Sequence, residues 1–146
     1  MAALLAIGWG ATAAPAAQAK GHAHSASLQR LAAARIARHK VGRRYVYGAV
    51  GPATFDCSGL VIFAYHKAGI PLGKVRTTFQ MWSRGHHIAR TRLLPGDVVF
   101  VYSASHGHVG VYLGGGKFVH APAPGRRVSI GILPRQGAGY YGATRL

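Results

Sequence analysis

Up to residue 94, apolar positions recur at intervals of three and four; after Pro95-Gly96 the interval falls to two. Leu28, Leu31, Ala32 and Ile36 share one face of a predicted helix over residues 28–41, with Ser27 suited to cap its start and Gly42 to stop it. Leu60, Val61, Ala64 and Tyr65 mark a second helix over 60–68, ended by Gly69. Residues 77–83 read as a short third. Between the first two helices, 45–47 is an extended piece and Gly48, Gly51 and Pro52 form a loop. In the alternating part, 98–102, 109–113 and 117–120 read as successive strands, the last two joined tightly through Gly114-Gly115-Gly116. A fourth strand is expected over 128–133, and Tyr140-Tyr141 begins a last short one. Helices first and strands afterwards predict an α+β domain, with N-terminal helices packed on an antiparallel sheet.

A chain of 146 residues, 49% hydrophobic, is enough for one domain with one core. Its 21 glycines follow no fixed period, which excludes collagen-like and repeat architectures. The start is a short apolar run, Met1 to Ala11, followed by small residues through Ala17-Gln18-Ala19. That is the pattern of an export leader with an Ala-x-Ala cleavage site. The expected organisation is a signal peptide over 1–19, a short linker over 20–26 and one domain over 27–146. The apolar run is too short to span a bilayer. Its competing reading is a buried N-terminal helix.

Charge narrows the partners. Lys and Arg number 18 against two acids, Asp56 and Asp97, for a formal net charge of +16. Such a chain is attracted to polyanions: nucleic acid, anionic membranes or acidic cell-wall polymers. The basic residues are scattered, with no basic arm or helix, which weighs against nucleic acid. Export places the partner outside the cytoplasm. Nothing in the sequence calls for an obligate dimer, and a monomer is expected.

Cys57 is the single cysteine, so it forms no internal disulfide. It is either an inert buried thiol or a working nucleophile. It lies at a loop-to-helix junction between Asp56 and Ser58-Gly59 rather than in an apolar run, which favours the nucleophile. A helix N-terminus and a neighbouring imidazole would each lower its pKa from about 8.5. His108 opens one strand of the glycine hairpin and His120 ends the other, at comparable distances from the turn. One imidazole can then orient the other, giving nucleophile, base and orienting group. Either histidine alone would read as a surface residue. Cys57, His106, His108 and His120 also offer zinc-binding atoms, but their spacing matches no common structural zinc pattern. No metal and no cofactor is expected.

At these residues the chain resembles the NlpC/P60 family of cell-wall cysteine peptidases, over about residues 28–145. The resemblance rests on Gly42-Arg43-Arg44-Tyr45-Val46-Tyr47-Gly48, Phe55-Asp56-Cys57-Ser58-Gly59-Leu60-Val61, Arg76-Thr77-Thr78-Phe79-Gln80 and Leu94-Pro95-Gly96-Asp97-Val98-Val99-Phe100. It also rests on the histidine strands His108-Val109-Gly110-Val111-Tyr112-Leu113-Gly114 and Phe118-Val119-His120-Ala121. It implies a papain-like core, Cys57 as nucleophile, His108 as general base and His120 as its orienting partner. Tyr45 is implied to help hold the oxyanion, with Asp56 and Ser58 shaping the site beside the nucleophile. The implied reaction is hydrolysis of an amide in the peptidoglycan stem peptide, commonly between D-γ-glutamyl and a diamino acid. Arg44 stands where the family frequently has proline, and Ala49 where it often has a second glycine. The competing readings are a non-catalytic cationic wall-binding protein, a papain-like amidase of other specificity, and a nucleic-acid-binding protein.

Overall fold

The computed structural model describes residues 15–146. Helix α1 spans Pro15–Arg38, and strands β1 (Arg44–Tyr45) and β2 (Thr54–Phe55) follow. Helices α2 (Cys57–Lys67) and α3 (Thr78–Arg84) come next. Strand β3 (His86–His87), a 3-10 turn (Arg90–Arg92) and strands β4 (Val98–Val101), β5 (Val109–Gly114), β6 (Lys117–His120), β7 (Ser129–Ile132) and β8 (Tyr140–Arg145) complete the chain. The long strands form an antiparallel sheet in the order β3-β8-β4-β5-β6-β7, while β1 and β2 pair in parallel apart from it. The α+β reading holds, with α1 and α2 packed together and against β5.

Two departures concern the ends. The segment over 20–26, expected as a short linker, lies inside α1, which runs through it without a break. Its run of alanines (Ala16, Ala17, Ala19, Ala23, Ala26) is the best helix-forming composition available, and Pro15 suits a first helical position. Most of the expected leader, residues 1–14, lies outside the described residues. The bond after Ala19 falls within α1, which closes at Arg38, earlier than expected; Gly42 then turns the chain at φ 89°. The other departure is β8. It runs six residues and pairs with both β3 and β4, so it is an interior strand rather than a short terminal one.

Packing follows from size and alternation. The buried side chains of α1 are Ala33, Ala34 and Ala37, small enough to let α2 approach with Leu60, Val61, Ala64 and Tyr65. Strand β4 is buried on both faces. Val98 and Phe100 join the helix-side core, and Val99 and Val101 join a second cluster with Phe118, Leu133, Tyr140 and Ala143. Alternation therefore sorts apolar side chains between two cores here, not between core and solvent.

The Pro95-Gly96-Asp97 turn fastens these layers together. The Tyr65 hydroxyl donates to the Gly96 carbonyl, and the Gly96 amide donates to Tyr112 at 2.8 Å. A Cβ at Gly96 would overlap the Arg30 backbone of α1. Asp97 is fully buried and accepts from Arg145 Nε at 2.8 Å, from Arg145 Nη2 at 2.9 Å and from the Leu94 amide at 2.8 Å. Among the described residues no helix is long and apolar enough to cross a membrane.

Candidate active site

Cys57 is the first residue of α2, and Asp56 caps that helix by accepting from the Gly59 amide at 2.6 Å. Gly59 is needed for a packing reason. The Asp56 amide donates to the Ala49 carbonyl at 2.9 Å, and a Cβ at Gly59 would overlap that oxygen. Ala49 is not among the positive-φ residues, so nothing at that position demands a second glycine.

Asp56 gathers more than the cap. It accepts from the Gly48 amide at 2.9 Å, from Ser58 Oγ at 3.2 Å and from Arg76 Nη2 at 2.6 Å. Arg76 Nη1 also donates to Ser58 Oγ at 2.7 Å. Burial pushes the Asp56 carboxyl up, but the Arg76 hydrogen bond and charge, with the Gly59 and Gly48 amides, outweigh it and hold the group below its ordinary range. Asp56 and Ser58 thus tie the start of α2 to the loop at Gly48 and to Arg76. Arg76 was not among the predicted site residues. Thr77 and Gln80 set its position: their side chains form a reciprocal capping box on α3, and Gln80 Oε1 also accepts from the Arg76 amide at 2.8 Å.

The two histidines meet as the hairpin count predicted. His108 Nε2 and His120 Nδ1 are 2.8 Å apart. In the β5–β6 register Val111 faces Val119, so His120 lies opposite Gly110, on the same sheet face as His108. A Cβ at Gly110 would overlap the Phe118 ring and the Val119 carbonyl, so this closeness depends on glycine there. Burial drives both imidazoles towards the neutral form, each to a pKa of about 4, and His120 adds to the effect on His108.

The Val109 amide, next to His108, is among the groups acting on the Cys57 thiol, which links the start of β5 to the start of α2. The thiol itself departs from expectation. Burial, followed by the Asp56 charge, pushes its pKa up; the amides of Val109, Ser58 and Cys57 pull the other way without prevailing. The shift favours the protonated thiol, as burial favours the neutral imidazoles.

Tyr45, Tyr47, Cys57, Arg76, Thr77 and Gly107 are among the residues lining a cleft of about 380 Å³ over the nucleophile. Burial raises the Tyr45 pKa, with Cys57 the next contribution, so the phenol stays protonated and able to donate. Two residues near the histidines have left-handed backbones, Tyr102 (φ 62°) and His106 (φ 56°). The Tyr102 ring lies 6.0 Å from that of His108 and 6.1 Å from that of His120. The His106 ring stacks on Trp82 at 3.9 Å, pinning the loop that carries Gly107 into the cleft. No set of three or more His, Cys, Asp or Glu converges among the described residues.

Comparison with known proteins agrees with this arrangement. The model described as NlpC/P60 family matches residues 42–141. The probable endopeptidase p60 of Listeria grayi is 36% identical over 106 residues, covering 72% of this chain and 20% of the relative. The murein DD-endopeptidase MepH of Escherichia coli K12 is 37% identical over 136 residues, covering 85% of this chain and 49% of the relative. The chain thus spans between a fifth and half of these two relatives. Among solved structures, the NlpC/p60 domain of the peptidoglycan hydrolase SagA superposes with a TM-score of 0.66 at 32% identity, covering 80% of this chain and 98% of that domain.

Proposed function

The chain belongs to the NlpC/P60 family, and from that premise we propose that it is an exported cysteine peptidase acting in the cell wall or periplasm. It hydrolyses an amide in peptidoglycan stem peptides, with the bond between D-γ-glutamyl and a diamino acid as first choice. The reading is carried by the pairing of His108 Nε2 with His120 Nδ1 at 2.8 Å, one residue before the amide that acts on Cys57.

The proposed reaction requires one tautomer of that pair. If His108 carries its proton on Nε2 and donates to His120, its Nδ1 holds a free lone pair and can act as base. The opposite assignment leaves a neutral His108 protonated on Nδ1 and inert. In the course proposed, Cys57 Sγ attacks the scissile carbonyl carbon while its proton passes to His108 Nδ1. The Tyr45 hydroxyl and amides at the start of α2 stabilise the oxyanion. Collapse returns the proton from His108 to the leaving amine and leaves a thioester on Cys57. Water, deprotonated by His108, then releases the acid and the free thiol.

The test is incubation of the purified chain and its Cys57→Ala variant with muropeptides, read by mass spectrometry. Cleavage at the γ-glutamyl bond by the parent alone is expected. The relative named murein DD-endopeptidase supports a second reading, cleavage of the D,D crosslink. Crosslinked dimers converted to monomers, with the γ-glutamyl bond intact, would establish that one instead. No cleavage, with binding to sacculi retained, would leave a wall-binding protein.

The +16 charge supports retention on anionic wall polymers and stem carboxylates. Binding to purified sacculi should therefore weaken steeply between low and physiological salt. Binding indifferent to salt would remove this part of the reading.

A further inference from the structure

Tyr45 has a second side. Beyond the catalytic cleft it lines another chamber, of about 430 Å³, together with Arg44, Val46, Gly125, Arg126 and Arg127. Backbone pairing builds this chamber. The Tyr45 amide donates to the Arg126 carbonyl at 3.0 Å, the Val128 amide donates to Arg43 at 2.8 Å, and Arg44 bridges Arg127 across the two segments. Arg127 is braced further, its Nη1 donating to the Gly42 carbonyl at 2.9 Å. Three arginines thus line one pocket on a frame of paired backbone.

No side-chain carboxylate is left to neutralise them. The sequence has two side-chain carboxylates, and both are taken: Asp56 by Arg76 and Asp97 by Arg145. Among the described residues the side chains of Arg44 and Arg126 make no hydrogen bond, and both are exposed. Like charges held side by side repel unless an anion joins them. Planar, forked guanidinium groups are matched to carboxylate, which they bind through paired charge-assisted hydrogen bonds.

We infer that this chamber is a carboxylate subsite: Arg44 and Arg126, with Arg127 alongside, hold a free carboxylate of the stem peptide, next to the residue seated over Cys57 and past Tyr45. This assignment rests on the peptidase reading above and extends it by naming what the substrate must carry. The chain would discriminate between stem peptides with free carboxylates and those in which they are amidated.

Binding without turnover tests it. In the Cys57→Ala chain, the affinity for L-alanyl-γ-D-glutamyl-meso-diaminopimelate is compared with that for the same tripeptide amidated at its carboxylates, by titration calorimetry. Amidation is expected to weaken binding about tenfold. Adding Arg44→Gln and Arg126→Gln together should bring both peptides to the same weaker affinity. Arg135→Gln, which removes an exposed charge elsewhere, should leave the tenfold preference in place. A preference that survives the double substitution, or that Arg135→Gln abolishes equally, overturns the subsite. So does loss in the double variant of binding to poly(glycerol phosphate) with peptide preference unchanged, which would assign the pocket to a phosphodiester. Hydrolysis by the chain with Cys57 intact is scored separately. Failure there with the binding preference present sinks the peptidase and spares the subsite, and hydrolysis without any preference does the reverse.

Discussion

Asp56 and Asp97 are each held by an arginine, but at different depths. The Asp97 side chain is 0% exposed and its partner Arg145 25%, whereas Asp56 is 7% exposed and Arg76 is 40% exposed at the lip of the cleft. The buried pair joins β8 to the turn before β4, and neither partner is among the residues that line the cleft. The other pair joins the nucleophile's helix to the cleft wall and reaches solvent through its arginine. Burial sets what each can do. A charge pair sealed between layers holds the fold, because breaking it strands a charge in low dielectric. A pair half in water contributes little to stability, but it still fixes direction and can be felt by a ligand.

Asp97→Ala is the strongest way to break this contrast. It strands Arg145, removes the acceptor of the Leu94 amide, and should cost about 3 kcal/mol in urea unfolding. Any activity lost should track the folded fraction. A variant that stayed fully folded but inactive would move Asp97 into the site.

The histidine pair sharpens the contrast by pH. Each imidazole has a folded pKa of about 4, below its ordinary 6.5, so between those values the unfolded chain binds more protons than the folded one. Stability is full above about pH 6.5 and should fall as pH drops towards 4. Asp56, held below its ordinary 3.8, gives way only under more acid conditions. Replacing both histidines by alanine should flatten the first window and leave the second. The acid limb of kcat/KM should likewise lie near pH 4, since His108 accepts a proton only when neutral; a limb at 6.5 would contradict the burial argument.

Asp56→Asn should have the smallest effect on stability and the clearest split from activity. Asparagine still caps α2, so unfolding should shift by about 1 kcal/mol. Losing the charge that orients Arg76 should lower kcat/KM about a hundredfold. Equal losses in both would make Asp56 the surface counterpart of Asp97.

Much of this was legible beforehand because the signals are local. Cys57 at a helix start follows from a cap residue, a glycine and an apolar repeat. The His108–His120 approach follows from counting out from a glycine turn, since alternation in a hairpin fixes which side chains share a face. Arg76 was harder. With 18 basic residues and two acids, composition makes a cationic partner for Asp56 easy to expect but does not pick out which one. The interior place of β8 was hidden for a similar reason: strand order depends on long-range pairing, which no local pattern encodes.

By itself the sequence determined the class of fold, the place of Cys57 at a helix start and the approach of His108 to His120, because spacing along a strand or helix converts directly into shared faces. Tertiary structure alone decided which arginine each aspartate takes, and that burial pushes the Cys57 thiol and both imidazoles towards their neutral forms. It alone also gathered Arg44, Arg126 and Arg127 into one chamber. Those outcomes depend on burial and on groups far apart in the chain, and burial is a property of the packed molecule, not of its order of residues.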